Sequence, residues 1–586
     1  MITKYFKKTM KGVMYLLLYS STPLLLLSCS DFLYDDSDIV AYADHEHLVS
    51  DADTLWSVAG IMNKMQALAD RTILLGELRG DLVSITDNAD ADIRDVASFS
   101  ITTSNRYNNP ADYYAVINNC NYFIAHADTT LKNNRNESIF MKEYAAVKAF
   151  RAWTYLQLAL NYGSVPFITE PIVSKEQSEK EFPMYGINDI CRFFIGDLTP
   201  YADVEQPGYA TIRNTDSNLF YFPIYILLGD MNLWAGNYRA AAENYYKYIT
   251  MRNGRNSSYP IATNSVRFMP NDSHWMSTMD TWSANAFQTE TRSANGELIT
   301  MIPGDSIPSE GNYSELRDLF NTTERNEYKE SIRPSEALYS LSTSQRYCHY
   351  TSGGEYVFSP DGLDNHRSGD LRLQAVYNES NNMAMSINGK RIENYVINGK
   401  YQTRNIHLYR RAMVYLRMAE ALNRAGFPRF AFQILKRGVN NSVIENEVIP
   451  YYESDAAWLR TFSFPDNQYV LETTAGAASE NTTGLHSRGC GYTAANSLYT
   501  MPDNEQLSGQ QLLDYQIQKV EDLIMDEEAL EFAFEGHRFY DLMRVALHRG
   551  DPAYLANRVA RRSGTVDASL QQKLMTTGSW YLTLPE

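Results

Sequence analysis

Two stretches of this sequence repeat one design, and that design restricts the fold more than any other feature. In residues 218–250, Leu227, Leu228 and Met231 lead into Leu233-Trp234-Ala235-Gly236-Asn237-Tyr238, followed by Ala240, Ala241, Tyr245 and Tyr248. The spacing predicts a helix, a tight turn and an antiparallel helix. Gly236 suits the end of the first helix because glycine takes a positive φ without steric penalty. The small Ala240 and Ala241 let the two helices approach closely. The pattern returns near 407–437. Tyr415, Met418, Ala419, Ala421 and Leu422 share a helix, Asn423 to Gly426 turn the chain, and Phe430, Ala431, Ile434 and Leu435 pack back. Such pairs resemble tetratricopeptide units. The copies are not in tandem, so the expectation is a mainly α scaffold with decorations rather than a regular solenoid.

Further helices are predicted over 53–70, 112–127 and 141–161. The last is the clearest: Ala146, Ala149, Phe150, Trp153, Leu156 and Leu160 form one apolar stripe, and Gly163 and Pro166 end it. Trp153 and Trp234 therefore read as core. Between the helical blocks the composition changes. Residues 252–325 and 470–508 are rich in Asn, Ser, Thr and Gly, and loops this long inside a compact fold are functional or disordered. A third insertion covers about 375–405. Within it, SINGKRIENYVINGKY (386–401) carries two Asn-Gly pairs flanked by apolar alternation, a hairpin signal. A small β-hairpin element is expected there.

Composition narrows the function. With 44% hydrophobic and 21% charged residues over 586 positions, the chain is globular rather than disordered and needs one very large core or several. Residues 1–28 carry four lysines and no acid, so the remainder carries −22 against −18 for the whole. So acidic a surface repels phosphate backbones, which argues against nucleic acid as a partner. The cysteines, at 29, 120, 191, 348 and 490, are too far apart for a CxxC site, so zinc knuckles and thioredoxin-type chemistry drop out. No cofactor is expected.

The N-terminus reads as an address. Residues 1–12 are basic and 13–27 mostly apolar, but Ser20, Ser21, Thr22 and Pro23 interrupt the run, which fits a secretory signal better than a membrane span. It ends in Leu26-Leu27-Ser28-Cys29, which resembles a bacterial lipobox. Residues 1–28 are thus expected to be a lipoprotein signal peptide, with Cys29 the lipidated first residue of the mature chain. Each buried CH₂ of an acyl chain such as palmitate contributes about 0.8 kcal/mol, and stable anchoring needs more than one chain. Asp31, Asp35, Asp36 and Asp38 follow. They resemble surface-export signals of lipoproteins and also suit a solvated tether. Residues 29–52 form the flexible leader and 53–586 the fold.

Several blocks together resemble the SusD/RagB family of outer-membrane nutrient-binding lipoproteins. One runs from Ala149-Phe150-Arg151-Ala152-Trp153 to Asn161-Tyr162-Gly163-Ser164-Val165-Pro166-Phe167. Another is Tyr415-Leu416-Arg417-Met418-Ala419-Glu420-Ala421-Leu422-Asn423-Arg424. The densest match lies in Glu528 to Arg544, at Phe534-Glu535-Gly536-His537-Arg538-Phe539-Tyr540-Asp541-Leu542-Met543-Arg544. Asp370-Leu371-Arg372 and Trp580-Tyr581-Leu582-Thr583-Leu584-Pro585 are shorter matches. The blocks follow family order to the last residues. One departure is Ala111, ahead of Tyr114, Ile117 and Asn121, where the family often has Trp. The resemblance implies a SusD-like helical scaffold with tetratricopeptide-like pairs, anchored by lipid to the cell outer membrane and exposed at its surface. There it implies a lid over a SusC-like TonB-dependent transporter, capturing oligosaccharides, or peptides in some members, and delivering them unaltered for nutrient uptake. Such proteins are not enzymes.

Other chemical readings of the residues stand beside that resemblance. Glu535, His537, Arg538 and Asp541 invite a catalytic reading, and His537 and Asp541 are i,i+4 neighbours on a helix. Phe532, Phe534, Phe539 and Leu542 in the same block read as packing, so the polar groups are expected to tie the scaffold together. His45-Glu46-His47 lacks the HExxH spacing. Asp87, Asp90, Asp92 and Asp95 suggest calcium but lack the glycine and closing Glu of an EF-hand loop. Gly489-Cys490-Gly491 opens no phosphate loop. No catalytic or metal-ligating residue is nominated. Binding falls to aromatics in loops, because a sugar's apolar face stacks on Trp or Tyr. The candidates are Trp275, Trp282 and Tyr313 in the 252–325 insertion, and Tyr107 in the Asn-rich SNRYNNP stretch. Each has the alternative role of pinning its own loop. Two readings of other classes remain. One is a surface glycosidase, which needs two carboxylates at fixed separation. The other is a purely structural lipoprotein that uses helical repeats for protein contacts.

Overall fold

The structure is a computed structural model of the chain. It describes residues 51–212, 215–250, 261–262, 266–269, 274–277, 297–304, 313–323, 325–326, 330–345, 348–350, 356–358, 370, 372–380, 385–387, 389–392, 395–464, 471–472, 484–490 and 499–585. The expected signal peptide, Cys29, the acidic leader and His45-Glu46-His47 lie outside these residues.

The helices that carry the scaffold are α1 (Asp51–Leu78), α2 (Ala91–Ala97), α3 (Pro110–His126), α4 (Met141–Tyr162), α5 (Ile187–Leu198), α6 (Ile224–Trp234) and α7 (Tyr238–Thr250). After the insertions come α8 (Arg411–Arg424), α9 (Pro428–Lys436), α10 (Gly509–Phe532), α11 (Arg538–Arg549) and α12 (Ala553–Val559). Successive helices are neighbours: α1 packs on α3, α3 on α4, α4 on α5, α5 on α6 and α6 on α7. The run then continues across the break in sequence, because α7 packs on α8, α8 on α9, and both α8 and α9 on α10. The scaffold is therefore continuous in space although the insertions interrupt it in sequence.

The two expected helix pairs form as read. Gly236 has φ 77° and Gly426 φ 99°, and each turn closes with a backbone bond, Asn237 N–H to Asn232 O at 2.8 Å and Phe427 N–H to Leu422 O at 3.0 Å. Close approach of α6 and α7 depends on Gly229, where a Cβ would lie 2.4 Å from the Tyr245 ring. Ala241 and Ala242 are the fully buried alanines, one position later than the expected Ala240 and Ala241. Helix α4 departs from its one-stripe reading. From Ala145 to Tyr162 every residue but Gln157 is buried, because α1, α3, α5 and α6 all pack around it. Its buried Lys148 and Arg151 pair with Asp197 of α5 at 2.5 and 3.1 Å. Trp153 and Trp234 are core, as read.

Strands are short. Leu298–Ile302 pairs antiparallel with Ile406–Arg410 through a bulge, and both are fully buried. The first of these lies inside the expected 252–325 insertion, so that part of it is scaffold. Met385–Ile387 and Lys390–Ile392 make the hairpin at the first Asn-Gly pair, with Gly389 at φ 77°. The second Asn-Gly makes none. Asn398 instead caps a 3₁₀ turn, and Tyr395–Ile397 pairs with Asn378–Ser380. Among the described residues no helix is long and apolar enough to cross a membrane.

Candidate functional site

Residues 533–537 join α10 to α11, and the chain bends there through Phe534 at φ 70° and Gly536 at φ 81°. Gly536 lies directly on α1. Its N–H donates to Glu77 Oε1 at 2.8 Å, and a Cβ on it would fall 2.7 Å from Ile73 Cα. A Cβ on Gly76 would fall 1.8 Å from the Gly536 carbonyl oxygen. Two backbones touch here, and only glycine on both sides permits it.

That contact places the polar residues of the block. Glu535 accepts from Arg410 at 2.7 and 2.9 Å and from Lys400. Arg538 clasps Asp81 at 2.6 and 3.0 Å, and Arg544 clasps Glu420 at 2.9 and 2.5 Å. Asp541 pairs with Arg544 at 2.9 Å. His537 Nε2 is buried without a hydrogen-bond partner. Burial, reinforced by the nearby Arg417 charge, pulls the imidazole down to about 3, too weak a base for proton transfer near neutral pH. The polar residues of the block act as ties.

Around Glu531 the ties form a network. Glu531 receives Arg410 at 2.7 Å, Arg372 at 2.8 Å and also Arg488. Arg372 further holds Asp370 at 2.7 Å and Glu527 at 2.6 Å, while Arg410 and Arg488 share Glu297 at 3.0 and 2.8 Å. His486 Nδ1 bonds Glu527 at 2.7 Å. Burial works to raise the Glu531 carboxyl, but three guanidinium groups outweigh it and hold the group well below the ordinary range. Glu77, with less compensation, is lifted by burial to about 7. Sequence reasoning missed this network. Its one local sign is Glu527 and Glu531, i,i+4 on a helix, with Leu530 and Phe532 beside them.

Among the hollows lined by described residues, two border the scaffold helices closely. The inner one, about 40 Å³, lies among Trp153, Gln157, Trp234, Asp230, Arg417 and His537. That is room for two or three waters at roughly 10–15 Å³ each. Gln157 Oε1 and His537 Nε2, both lacking a protein partner, are the groups such waters would serve. The outer one, about 220 Å³, lies between α1 and neighbouring chain, with Gln66, Asp70, Gly304, Tyr313, Ser314 and Arg404 in its wall. Arg404 builds that wall: it donates to Ser314 O at 2.6 Å and forks onto Asp318 at 3.0 and 3.2 Å. Gly304 permits the approach, since a Cβ there would lie 2.1 Å from Arg404 O. Asp70 Oδ2 accepts the Glu315 N–H at 2.7 Å, and burial pushes its carboxyl up to about 6.

Tyr313 stands in the wall of the outer pocket. Its hydroxyl donates to Asp318 at 2.9 Å, and the Arg404 and Arg325 guanidiniums lie 3.7 and 4.4 Å from its ring centre. Tyr107 is buried, with its ring under Arg106 at 4.6 Å. The two tyrosines belong to adjoining loops, because Arg106 also lies 3.9 Å from Glu315. Arg106 settles the aspartate cluster as well: its guanidinium meets Asp90 at 2.7 Å and Asp92 at 3.0 Å, where a cation would have to sit. Asp90 Oδ1 caps α2 through Ile93 N–H at 3.0 Å. Among the described residues no group of three or more His, Cys, Asp or Glu is arranged to hold a metal. Trp275 falls in the strand His274–Ser277, paired with Val266–Met269, but its side chain lies outside the described residues, as does the whole of Trp282.

Helix pairs stacked in series, with a polar pocket on the first described helix, define a helical-repeat scaffold. The SusD family model matches residues 494–577, a span that includes α10 to α12 and the Glu535–Arg544 ties. No curated protein matches in sequence. Solved structures share the fold across most of the chain. A SusD superfamily protein from Bacteroides vulgatus ATCC 8482 has TM-score 0.55 at 15% identity, covering 89% of this chain and 92% of that one. A SusD-like carbohydrate binding protein from Bacteroides fragilis NCTC 9343 has TM-score 0.53 at 12% identity, covering 86% and 88%. A SusD homolog from Bacteroides thetaiotaomicron VPI-5482 has TM-score 0.52 at 15% identity, covering 90% and 92%. The chain has a SusD-like fold.

Proposed function

We propose that this protein is a lipoprotein of the cell surface, anchored through Cys29, that binds oligosaccharides and passes them to a SusC-like TonB-dependent transporter in the outer membrane. It binds its ligand without altering it. The observation that carries the reading is the outer pocket on a SusD-like scaffold, one solved relative of which is a carbohydrate-binding protein. Donors and acceptors from Gln66, Asp70 and Ser314 suit hydroxyls, while Ile406 and Pro303 offer apolar surface to a sugar ring. In the Glu535–Arg544 block Glu535, Arg538, Asp541 and Arg544 are engaged in ion pairs and His537 is too weak a base near neutral pH, which favours binding over catalysis. The test is a glycan array probed with the purified protein, beside Trp275→Ala and Trp282→Ala. Binding that weakens in either variant supports the reading. Capture of peptides with no saccharide bound replaces it with a peptide-binding role, and release of reducing ends from a polysaccharide replaces it with a glycosidase.

A further inference from the structure

The two helix-pair turns share a cover. Residues 444–459 form a chain of short helical turns, and side chains fasten them to both pairs. Asp455 takes Arg239 of α7 at 2.6 Å, and the Trp458 indole N–H donates to Glu243 of α7 at 2.6 Å. Tyr452 Oη accepts the Arg429 backbone N–H of α9 at 3.3 Å, and its ring meets Phe427 edge-on at 5.1 Å. Beside these fastenings stands Tyr451. It is 57% exposed, the most open aromatic side chain among the described residues. Its ring is nevertheless held: the Arg429 guanidinium lies 3.7 Å from the ring centre. So much exposure with one face covered leaves the opposite face in water. The turn beneath is fixed by Pro450 and by the Tyr452 N–H bond to Ile449 O at 2.9 Å. A free surface tyrosine loses rotamer freedom when a ligand stacks on it. Here the cation–π contact has already taken that freedom away, which pre-organises the ring.

The surroundings select the class of ligand. A protein partner takes an aromatic anchor within a wider patch that excludes water. Tyr451 is the one exposed large hydrophobic side chain among residues 441–464, and its exposed neighbours in sequence are Pro450, Glu453 and Ser454. A single flat face of this kind matches the C–H face of one sugar ring, whose hydroxyl edges stay hydrated.

We propose that Tyr451 is a second glycan contact, on which one pyranose ring of a polysaccharide stacks. It is separate from the outer pocket, whose wall is built by other residues. The assignment rests on the glycan-binding reading and adds to it a further point of attachment at the helix-pair turns. Arg429 is a positioning residue: it acts through the ring that it covers.

The test is electrophoresis of the purified full chain through native gels that hold a soluble glucan, xylan or mannan, read against a gel without polysaccharide. The expected result is retardation by at least one of them. Tyr451→Ala should weaken that affinity about two- to ten-fold, the range a lost aromatic stacking contact gives. Tyr451→Phe keeps the ring face and should bind like the parent. Arg429→Ala frees the ring and should give a smaller loss than Tyr451→Ala. The Tm of all three variants should stay with the parent, because the contact is at the surface. Equal retardation of parent and Tyr451→Ala overturns the proposal and leaves the glycan-binding reading standing. So does a loss in Tyr451→Phe as large as in Tyr451→Ala, or a loss that only accompanies a fall in Tm. Failure of every polysaccharide, with peptides bound instead, overturns the glycan-binding reading itself.

Discussion

Glu531→Gln is the sharpest probe of the scaffold. The change keeps volume and one acceptor but removes the charge on which Arg372, Arg410 and Arg488 converge. All four side chains are essentially without solvent contact, so water cannot take over the lost role. Breaking a buried ion pair from one side costs about 3–5 kcal/mol. The folded unit spans Ser50–Glu586, and at ~2.1 cal/mol/K per residue its unfolding entropy is ~1.1 kcal/mol/K. The expected fall in Tm is therefore about 3–5 °C at neutral pH, read by calorimetry or circular dichroism. It should persist at high salt, because buried pairs are little screened. Glu445→Gln is the control: its partner Arg460 lies at 2.7 Å, but both side chains are about half exposed, and no measurable shift is expected. A Glu531→Gln protein melting within 1 °C of the parent, or a Glu445→Gln shift as large, would refute the claim that burial and convergence make the network stabilising.

Gly536→Ala should destabilise by about 2–5 kcal/mol, combining a positive φ with a clash against Ile73 Cα; urea titration reads it, and an unchanged midpoint would contradict the backbone contact. Glu77→Gln tests linkage. The folded protein holds the Glu77 proton up to about pH 7 against an ordinary value of 4.5, so its stability falls as pH rises through that window. Glutamine cannot titrate, so Glu77→Gln should gain on the parent by about 3 kcal/mol between pH 4.5 and pH 8; a constant difference in Tm would refute the assignment. Arg404→Lys keeps the charge but loses the fork onto Asp318. Oligosaccharide affinity should drop several-fold while Tm moves little, and an unchanged affinity would remove the pocket from the binding site.

Legibility followed locality. Gly236 and Gly426 announce their turns because a positive φ and flanking small residues are written within a dozen positions. The Glu531 network draws on residues 297, 372, 410 and 488, and no local spacing links positions so far apart. Helix α4 shows one stripe in sequence because alanine, threonine and tyrosine tolerate both burial and water; only its neighbours decide that every side is covered. The Asn-rich stretch at Tyr107 looked like a ligand loop, yet its asparagines bond the chain itself: Asn105 receives Tyr107 N–H at 3.0 Å and Asn108 receives the Tyr162 hydroxyl at 2.9 Å. A side-chain amide serves either purpose equally well, so residue type alone does not separate them. The second Asn-Gly pair fails as a hairpin for a similar reason, since Asn398 finds a partner in Lys400 N–H at 3.0 Å.

The meeting of Gly76 with Gly536 also sets a timetable. Among the described helices α1 is made first, yet part of its cover arrives 459 residues later with the Gly536 N–H, and Arg79 waits longer still for the Trp580 carbonyl. At roughly 5–20 residues per second of synthesis, this helix passes on the order of half a minute or more with the Glu77 carboxylate lacking its Gly536 donor, while Arg79 already holds Leu75 O and Asn161. The chain therefore cannot finish folding from its beginning onward. Residues 536–580 act as a late clasp, and removing them would uncover the face of α1 that carries Gly76, Glu77 and Arg79.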